Sequence, residues 1–108
     1  MRERVSTFAE DDLRLMRQNA TQVAALLRAI SHEARLLVLC ELANGERSAG
    51  ELAEHSGLSQ SALSQHLAKL RKEGLVATRR EAQVIHYRIA DLRAQHVLQV
   101  LHDIYCRK

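Results

Sequence analysis

The apolar positions of the chain change spacing along its length, and the first spacing predicts a long helix. It runs 3-4-3-4-3 through residues 13–30, which is typical of a helix that packs lengthwise on another helix. The positions are Leu13, Met16, Ala20, Val23, Leu27 and Ile30. Residues 1–10, which precede this pattern, are mostly polar and are expected to be flexible.

Capping residues and glycines place two short helices after the first. Ser31 is expected to cap a second helix that runs to about Ala43, and Gly45 tolerates the left-handed conformation in which a helix often ends. Ser48 and Glu51 stand three residues apart and form the pattern of a capping box. This box predicts a third helix from residue 49 to about residue 55.

A fourth helix is expected after a turn at Gly57, with Ser59 as its N-cap. Its apolar side chains recur at i, i+4 and i+7, so they lie on one face. They are Leu63, Leu67 and Leu70, and Gly74 ends the helix. Two short helices joined by a tight turn form a helix-turn-helix.

The pattern then changes to alternation, which predicts two strands over residues 75–80 and 83–89, joined at a tip of Glu81 and Ala82. Asp91 is expected to cap a last, amphipathic helix. The sequence therefore predicts one domain over residues 1–108. It is mainly α with a small β-hairpin, an α+β winged helix-turn-helix of four helices, two strands and a fifth helix.

The placement of charge favours a polyanionic partner. Residues 59–88 contain six basic residues against two acidic ones, whereas the whole chain has a net charge of +3. A concentrated basic region is expected of a protein that binds the phosphate backbone. The N-terminus has no signal-peptide pattern and no stretch approaches membrane-spanning length, so we expect a cytoplasmic protein without a membrane partner.

The polar face of the fourth helix predicts which residues read double-stranded DNA. Hydroxyl and amide side chains near a helix start can reach base edges in the major groove, and arginines on the hairpin can reach the adjacent backbone or minor groove. The predicted DNA-binding residues are Ser59, Gln60, Ser61, Ser64, Gln65, His66, Lys69, Arg79, Arg80 and Gln83. The alternative is a solvated polar face with no partner.

The run from Ser59 to Leu70, followed by Glu73-Gly74-Leu75-Val76 and Arg79-Arg80, resembles the ArsR family of dimeric winged-helix repressors. The resemblance extends over nearly the whole chain. It implies a homodimer paired through the first and last helices, an inverted-repeat operator, and release of the DNA when a signal arrives.

The metal ligands of that family are missing here. The positions that match the Cys-x-Cys of metal-sensing members are Ser48 and Gly50, and Arg93 stands where a second metal site has its first histidine after Asp91. We therefore expect no metal and no cofactor. A metal-responsive alternative uses His96, His102 and Asp103 across a dimer.

Two cysteines, Cys40 and Cys106, are the candidates for sensing. From its position alone, Cys40 is explained equally well as a sensing thiol or as a small apolar core residue. Leu39-Cys40 and Tyr105-Cys106 resemble the cysteine pair of a metal-independent subgroup that responds to sulfide and persulfide. That resemblance implies a redox-sensing thiol pair, with reactive sulfur species or an oxidant as inducer and sulfur-metabolism or sulfide-detoxification genes as targets.

Two further function classes bear on the prediction. The chain has no Cys-His-Asp, Ser-His or paired-carboxylate pattern with catalytic spacing, so we expect that it is not an enzyme. An activator or anti-silencer needs only sequence-specific DNA binding, as a repressor does. That alternative stays open.

Overall fold

The computed structural model describes residues 8–107 of the chain, and the expectation of flexibility for residues 1–7 lies outside them. The described residues form five helices and three strands in the order α1 (Glu10–Ile30), α2 (Glu33–Leu42), β1 (Arg47–Ser48), α3 (Ala49–Ser56), α4 (Gln60–Lys72), β2 (Val76–Glu81), β3 (Val84–Ile89) and α5 (Leu92–Tyr105). The strands make one antiparallel sheet in the order β1-β3-β2.

The predicted fold class is confirmed: the protein is a mainly helical α+β winged helix-turn-helix. The predicted element order is wrong at one point, because it lacked β1. In this strand Arg47 pairs with Tyr87 and Ser48 pairs with His86 of β3. A strand of two residues is too short to produce an alternating pattern, so only the tertiary pairing reveals it.

The N-cap of α2 is His32 and not Ser31. The ring Nδ1 of His32 accepts a hydrogen bond of 3.1 Å from the Ala34 N–H. The Ser31 hydroxyl instead donates to the Arg28 carbonyl at the end of α1. The predicted caps of the other three helices are confirmed, with Ser48, Ser59 and Asp91 each accepting a backbone N–H of the first turn.

The hairpin turn is one residue further along than predicted. Glu81 continues β2 and pairs with Val84, which leaves Ala82 and Gln83 as the two-residue loop. Ala82 has φ of +55°, and two-residue hairpin loops commonly need such left-handed backbone to match the twist of their strands. Alternation alone does not distinguish these two registers of the tip.

The apolar faces of the helices and the base of the hairpin pack into one cluster. It contains Ala29, Ile30, Val38, Leu39, Leu42, Leu52, Leu63, Leu67, Leu70, Leu75, Val76, Ala94 and Leu98. The three predicted core leucines of α4 belong to it, so the opposite face of α4 points to solvent. No helix within residues 8–107 is both long and apolar enough to cross a membrane.

Candidate nucleic-acid interface and dithiol site

Two local motifs position the start of α4. The Ser59 hydroxyl accepts a 3.1 Å hydrogen bond from the Ala62 N–H, which satisfies one of the free amides of the first turn. Before it, Gly57 takes φ of +72° and ends α3 in the left-handed conformation. The turn therefore sets α3 and α4 in a helix-turn-helix with the first turn of α4 accessible.

The outward face of α4 carries the polar side chains that the sequence predicted. Five of them are exposed: Gln60, Ser61, Ser64, Gln65 and Lys69. Within the described chain, none of the five side chains forms a hydrogen bond or an ion pair with another residue. Their donors and acceptors are consequently available to base edges and phosphates, which is the requirement for direct readout in the major groove.

His66 is placed differently from the other predicted residues of α4. Its ring is half-buried against the ring of His32, with the ring centroids 4.5 Å apart and the planes tilted by 50°. Burial is the main cause that lowers the pKa of His66 from 6.5, and the nearby His32 and Arg35 lower it further. His66 thus joins α4 to the N-terminus of α2 through packing.

The two arginines of the wing, the hairpin of β2 and β3, lie on opposite faces of the sheet. Successive strand residues point to opposite faces, and the register pairs Arg80 with Ile85 and Arg79 with His86. Tyr87, on the face of Arg80 and Ile85, lines a groove with residues of α4. Arg80 therefore shares the face that turns toward α4, and Arg79 points the other way.

Arg79 is engaged by two carboxylates. Its Nη2 and Nε donate to Glu46 at 2.8 and 3.1 Å, and its Nη1 lies 3.4 Å from Glu81. The hydrogen bond from Arg79 is the main cause that lowers the pKa of Glu46. Glu46 carries no sequence signal for this role, because it directly precedes strand β1, which is too short to show in the apolar pattern. Gln83, also predicted to bind DNA, is exposed in the hairpin loop.

The two cysteines line one groove between α2 and α5. Cys40 lies on α2, Cys106 is the C-cap of α5, and both are free, exposed thiols in the single chain. The groove has a volume of about 590 Å³ and is lined by Leu36, Cys40, Ala43, Asn44, Gln95, Leu98, Gln99, Leu101, His102, Tyr105 and Cys106. The interpretation of Cys40 as a core residue is therefore wrong.

The environment of Cys40 disfavours its thiolate. Partial burial raises the pKa of Cys40 above 9.0, and the negative charges of Cys106 and Glu41 raise it further. Cys106 can act on Cys40 in this way because both line the same groove. At neutral pH Cys40 is therefore a protonated thiol, which is a weaker nucleophile than a thiolate.

The positions considered for a metal site do not form one in the described part of the single chain. Asp91 caps α5 and forms a 2.8 Å ion pair with Arg93. His102 is exposed and lies 3.5 Å from its neighbour Asp103. No group of three or more histidines, cysteines and acidic residues with metal-binding geometry occurs among residues 8–107 of the single chain.

Comparison with known proteins extends these observations. Residues 32–78 match the family described as "Bacterial regulatory protein, arsR family". The transcriptional activator HlyU of Vibrio cholerae is 45% identical over 96 residues, which is 89% of each chain. The crystal structure of the transcriptional repressor BigR from Xylella fastidiosa superimposes with a TM-score of 0.84 at 40% identity, covering 89% of this chain and 98% of that one.

A more distant structure is the homodimeric winged helix-turn-helix DNA-binding domain of a Mycobacterium bovis protein. It has a TM-score of 0.70 at 28% identity and covers 93% of this chain and 89% of its own. The matches to HlyU and BigR each cover 89% of this chain. The chain therefore belongs to the ArsR family, whose members are DNA-binding transcription regulators and not enzymes.

Proposed function

We propose that the protein is a cytoplasmic transcriptional repressor that releases its operator when Cys40 and Cys106 are oxidised or persulfidated. The observation that carries this proposal is the groove between α2 and α5, which both thiols line. Its targets are genes of sulfur metabolism or sulfide detoxification, in keeping with the subgroup that its cysteine pair resembles. No metal or cofactor takes part.

The active form in this proposal is a homodimer through α1 and α5. Apolar side chains of both helices are exposed in the single chain, with Ile104 at 64% and Tyr105 at 79%. The exposed positions of α1 include Leu13, Met16 and Leu27 of the predicted seam. A second copy would remove this surface from water, which is favourable for apolar groups. The Mycobacterium bovis relative is described as homodimeric.

Each protomer presents one α4 to the major groove in this proposal. Gln65 suits the N6 and N7 edge of adenine, and the neighbouring serines serve several bases. The contacts come from Ser59, Gln60, Ser61, Ser64, Gln65 and Lys69 of α4, with Arg80 and Gln83 of the wing. Two copies related by a twofold axis read an inverted repeat whose half-sites are about 34 Å apart.

The thiol chemistry proceeds in two balanced steps. The Cys106 thiolate attacks the outer sulfur of an organic hydropersulfide, which forms a Cys106 persulfide and expels the organic thiolate. Cys40, after loss of its proton to solvent, then attacks the inner sulfur of that persulfide and expels hydrosulfide. The result is a Cys40–Cys106 disulfide, with two thiols oxidised and one sulfane sulfur reduced.

Bridging changes the DNA complex through the dimer. The new bond ties α2 to the end of α5, whose exposed apolar face belongs to the proposed dimer contact. A shift of α5 alters the separation of the two α4 helices and breaks their match to the half-sites. An oxidant such as peroxide reaches the same disulfide through a sulfenic acid and loss of water.

The test combines mass spectrometry with DNA binding. Persulfide-treated protein should yield Cys40 and Cys106 in one linked peptide pair and should lose operator affinity. The Cys40→Ser and Cys106→Ser variants should stay bound to DNA under the same treatment. Release of DNA by the persulfide-treated Cys40→Ser protein would contradict the two-thiol mechanism, and stoichiometric zinc in the untreated protein would favour the metal-responsive alternative.

An activator or anti-silencer is the second candidate, because the Vibrio cholerae relative is named a transcriptional activator. The same DNA-binding surface would serve a repressor or an activator. A promoter reporter in a strain that lacks the gene separates them. Rising expression in that strain supports repression, and falling expression supports activation.

A further inference from the structure

The ion pair between Glu46 and Arg79 spans the width of the sheet. Glu46 directly precedes β1, which forms one edge, while Arg79 lies on β2 at the other edge. His86 of the middle strand faces Arg79 in the register, with its Nδ1 4.0 Å from Glu46 and its Nε2 3.6 Å from Glu81. The guanidinium therefore crosses above β3 and connects two strands that share no backbone hydrogen bonds.

This connection adds a side-chain link to a short element. β1 consists of two residues, which pair with β3 and, through Ser48, cap α3. Most exposed ion pairs contribute little, but a bidentate arginine within a network of charges is the favourable exception. Here one guanidinium meets two carboxylates beside an imidazole.

The charges around Arg79 make it a poor phosphate ligand. Its positive charge is compensated by Glu46 and Glu81, both of which would repel an approaching phosphate. Arg80 has no carboxylate partner within the described residues and lies on the face that turns toward α4. The two neighbouring arginines, adjacent in sequence, are thus in different electrostatic surroundings.

We propose that Glu46 is a positioning residue for DNA binding, which holds Arg79 across the sheet and so sets the wing where Arg80 meets a phosphate. Arg79 itself makes no DNA contact. This assignment rests on the DNA binding of the family and is independent of the thiol chemistry. It departs from the expectation that both arginines contact the DNA.

The test uses the 108-residue chain and a duplex selected by the wild-type protein from a random library. Its affinity is measured over a series of salt concentrations for Glu46→Gln, Arg79→Gln and Arg80→Gln. The first two variants should bind about two- to five-fold more weakly, as expected from loss of an ion pair. In both variants the slope of log affinity against log salt should be unchanged. The variant that combines Glu46→Gln with Arg79→Gln should bind DNA no more weakly than either single variant.

Arg80→Gln is the matched control. Its slope of log affinity against log salt should fall by about 0.9, the value for one lost phosphate contact on duplex DNA. Amide hydrogen exchange of residues 76–89 should be faster in Glu46→Gln and Arg79→Gln than in Arg80→Gln, because only the first two loosen the wing. Glu46→Asp retains the charge, so its affinity should lie between those of the wild type and Glu46→Gln.

Two results would overturn the assignment. If Glu46→Gln binds DNA as tightly as the wild type, Glu46 has no role in DNA binding. If it binds more tightly, Glu46 instead repels the phosphates of the DNA. A slope reduced by about 0.9 in Arg79→Gln would make Arg79 a phosphate contact. Circular dichroism compares the folding of the variants, and Glu46→Asp provides the milder change if Glu46→Gln does not fold.

Discussion

The imidazole of His66 on α4 lies against the imidazole of His32, the N-cap of α2, with the ring centroids 4.5 Å apart. The contact joins α4 to α2, the helix that carries Cys40. Arg35, one turn into α2, donates a 2.7 Å hydrogen bond to the Ala29 carbonyl and adds positive charge near the pair. Protonation of His66 would therefore add a cation where two other basic side chains already lie.

The first prediction concerns the pH dependence of stability. Burial and the nearby His32 and Arg35 lower the pKa of His66 below 6.5, so the unfolded chain binds the proton more readily than the folded one. The free energy of unfolding should consequently be highest above pH 6.5 and fall as the pH drops from there through the lowered pKa. Urea titrations between pH 5 and pH 8 measure this dependence.

His66→Gln should flatten that dependence, whereas His96→Gln, at an exposed position of α5, should leave it as in the wild type. The comparison is made at one protein concentration, because the stability of a dimer varies with concentration. An equally steep loss of stability in the His66→Gln protein would rule out His66 as its source.

The second prediction concerns the reactivity of Cys40. Because burial and the charges of Cys106 and Glu41 raise its pKa, alkylation of Cys40 by iodoacetamide should require a higher pH than alkylation of an unperturbed thiol. In Cys106→Ser protein one of these charges is absent, so the pH profile of Cys40 alkylation should move to lower pH. Peptide mass spectrometry after timed quenching gives the rate at each pH.

A Cys40 profile that is identical with and without Cys106 would mean that the two thiols do not interact. Glu41→Gln removes the other contributing charge and should move the profile in the same direction as Cys106→Ser. Since burial is the largest cause, neither substitution should bring the pKa of Cys40 fully back to its ordinary value.

The third prediction concerns base readout by Gln65, which is exposed on the outward face of α4. Gln65→Ala should weaken binding to the selected duplex by about 1–3 kcal/mol, the range for one bidentate base contact. Its binding to random-sequence DNA should change little. Lys69→Gln, on the same face, should weaken binding to both duplexes and reduce the salt slope. Equal losses on both duplexes for Gln65→Ala would remove it from the base-reading set.

The fourth prediction concerns the cap of α4. Ser59→Ala removes the acceptor for the Ala62 N–H and should lower the free energy of unfolding by about 1 kcal/mol. Ser61→Ala, two residues on and without a capping bond, should leave stability within about 0.5 kcal/mol of the wild type. Thermal unfolding at equal concentrations makes the comparison, and equal losses for the two variants would contradict the capping role.

The local elements of this protein could be read from its sequence. The apolar spacing of α4, the capping box at Ser48 and the N-cap at Asp91 are short-range signals, because each depends on residues within about one turn of a helix. The outward face of α4 follows from the same periodicity, since the positions opposite Leu63, Leu67 and Leu70 must point away from the core.

Tertiary structure decided the remaining relationships, because they join residues far apart in the chain. β1 exists only through its pairing with β3, and Glu46 meets Arg79 only across that sheet. His66 turned out to pack on His32, and Cys40 to share a groove with Cys106. The periodicity of a helix or strand tells which face a side chain takes, but the neighbour on that face depends on how the elements pack.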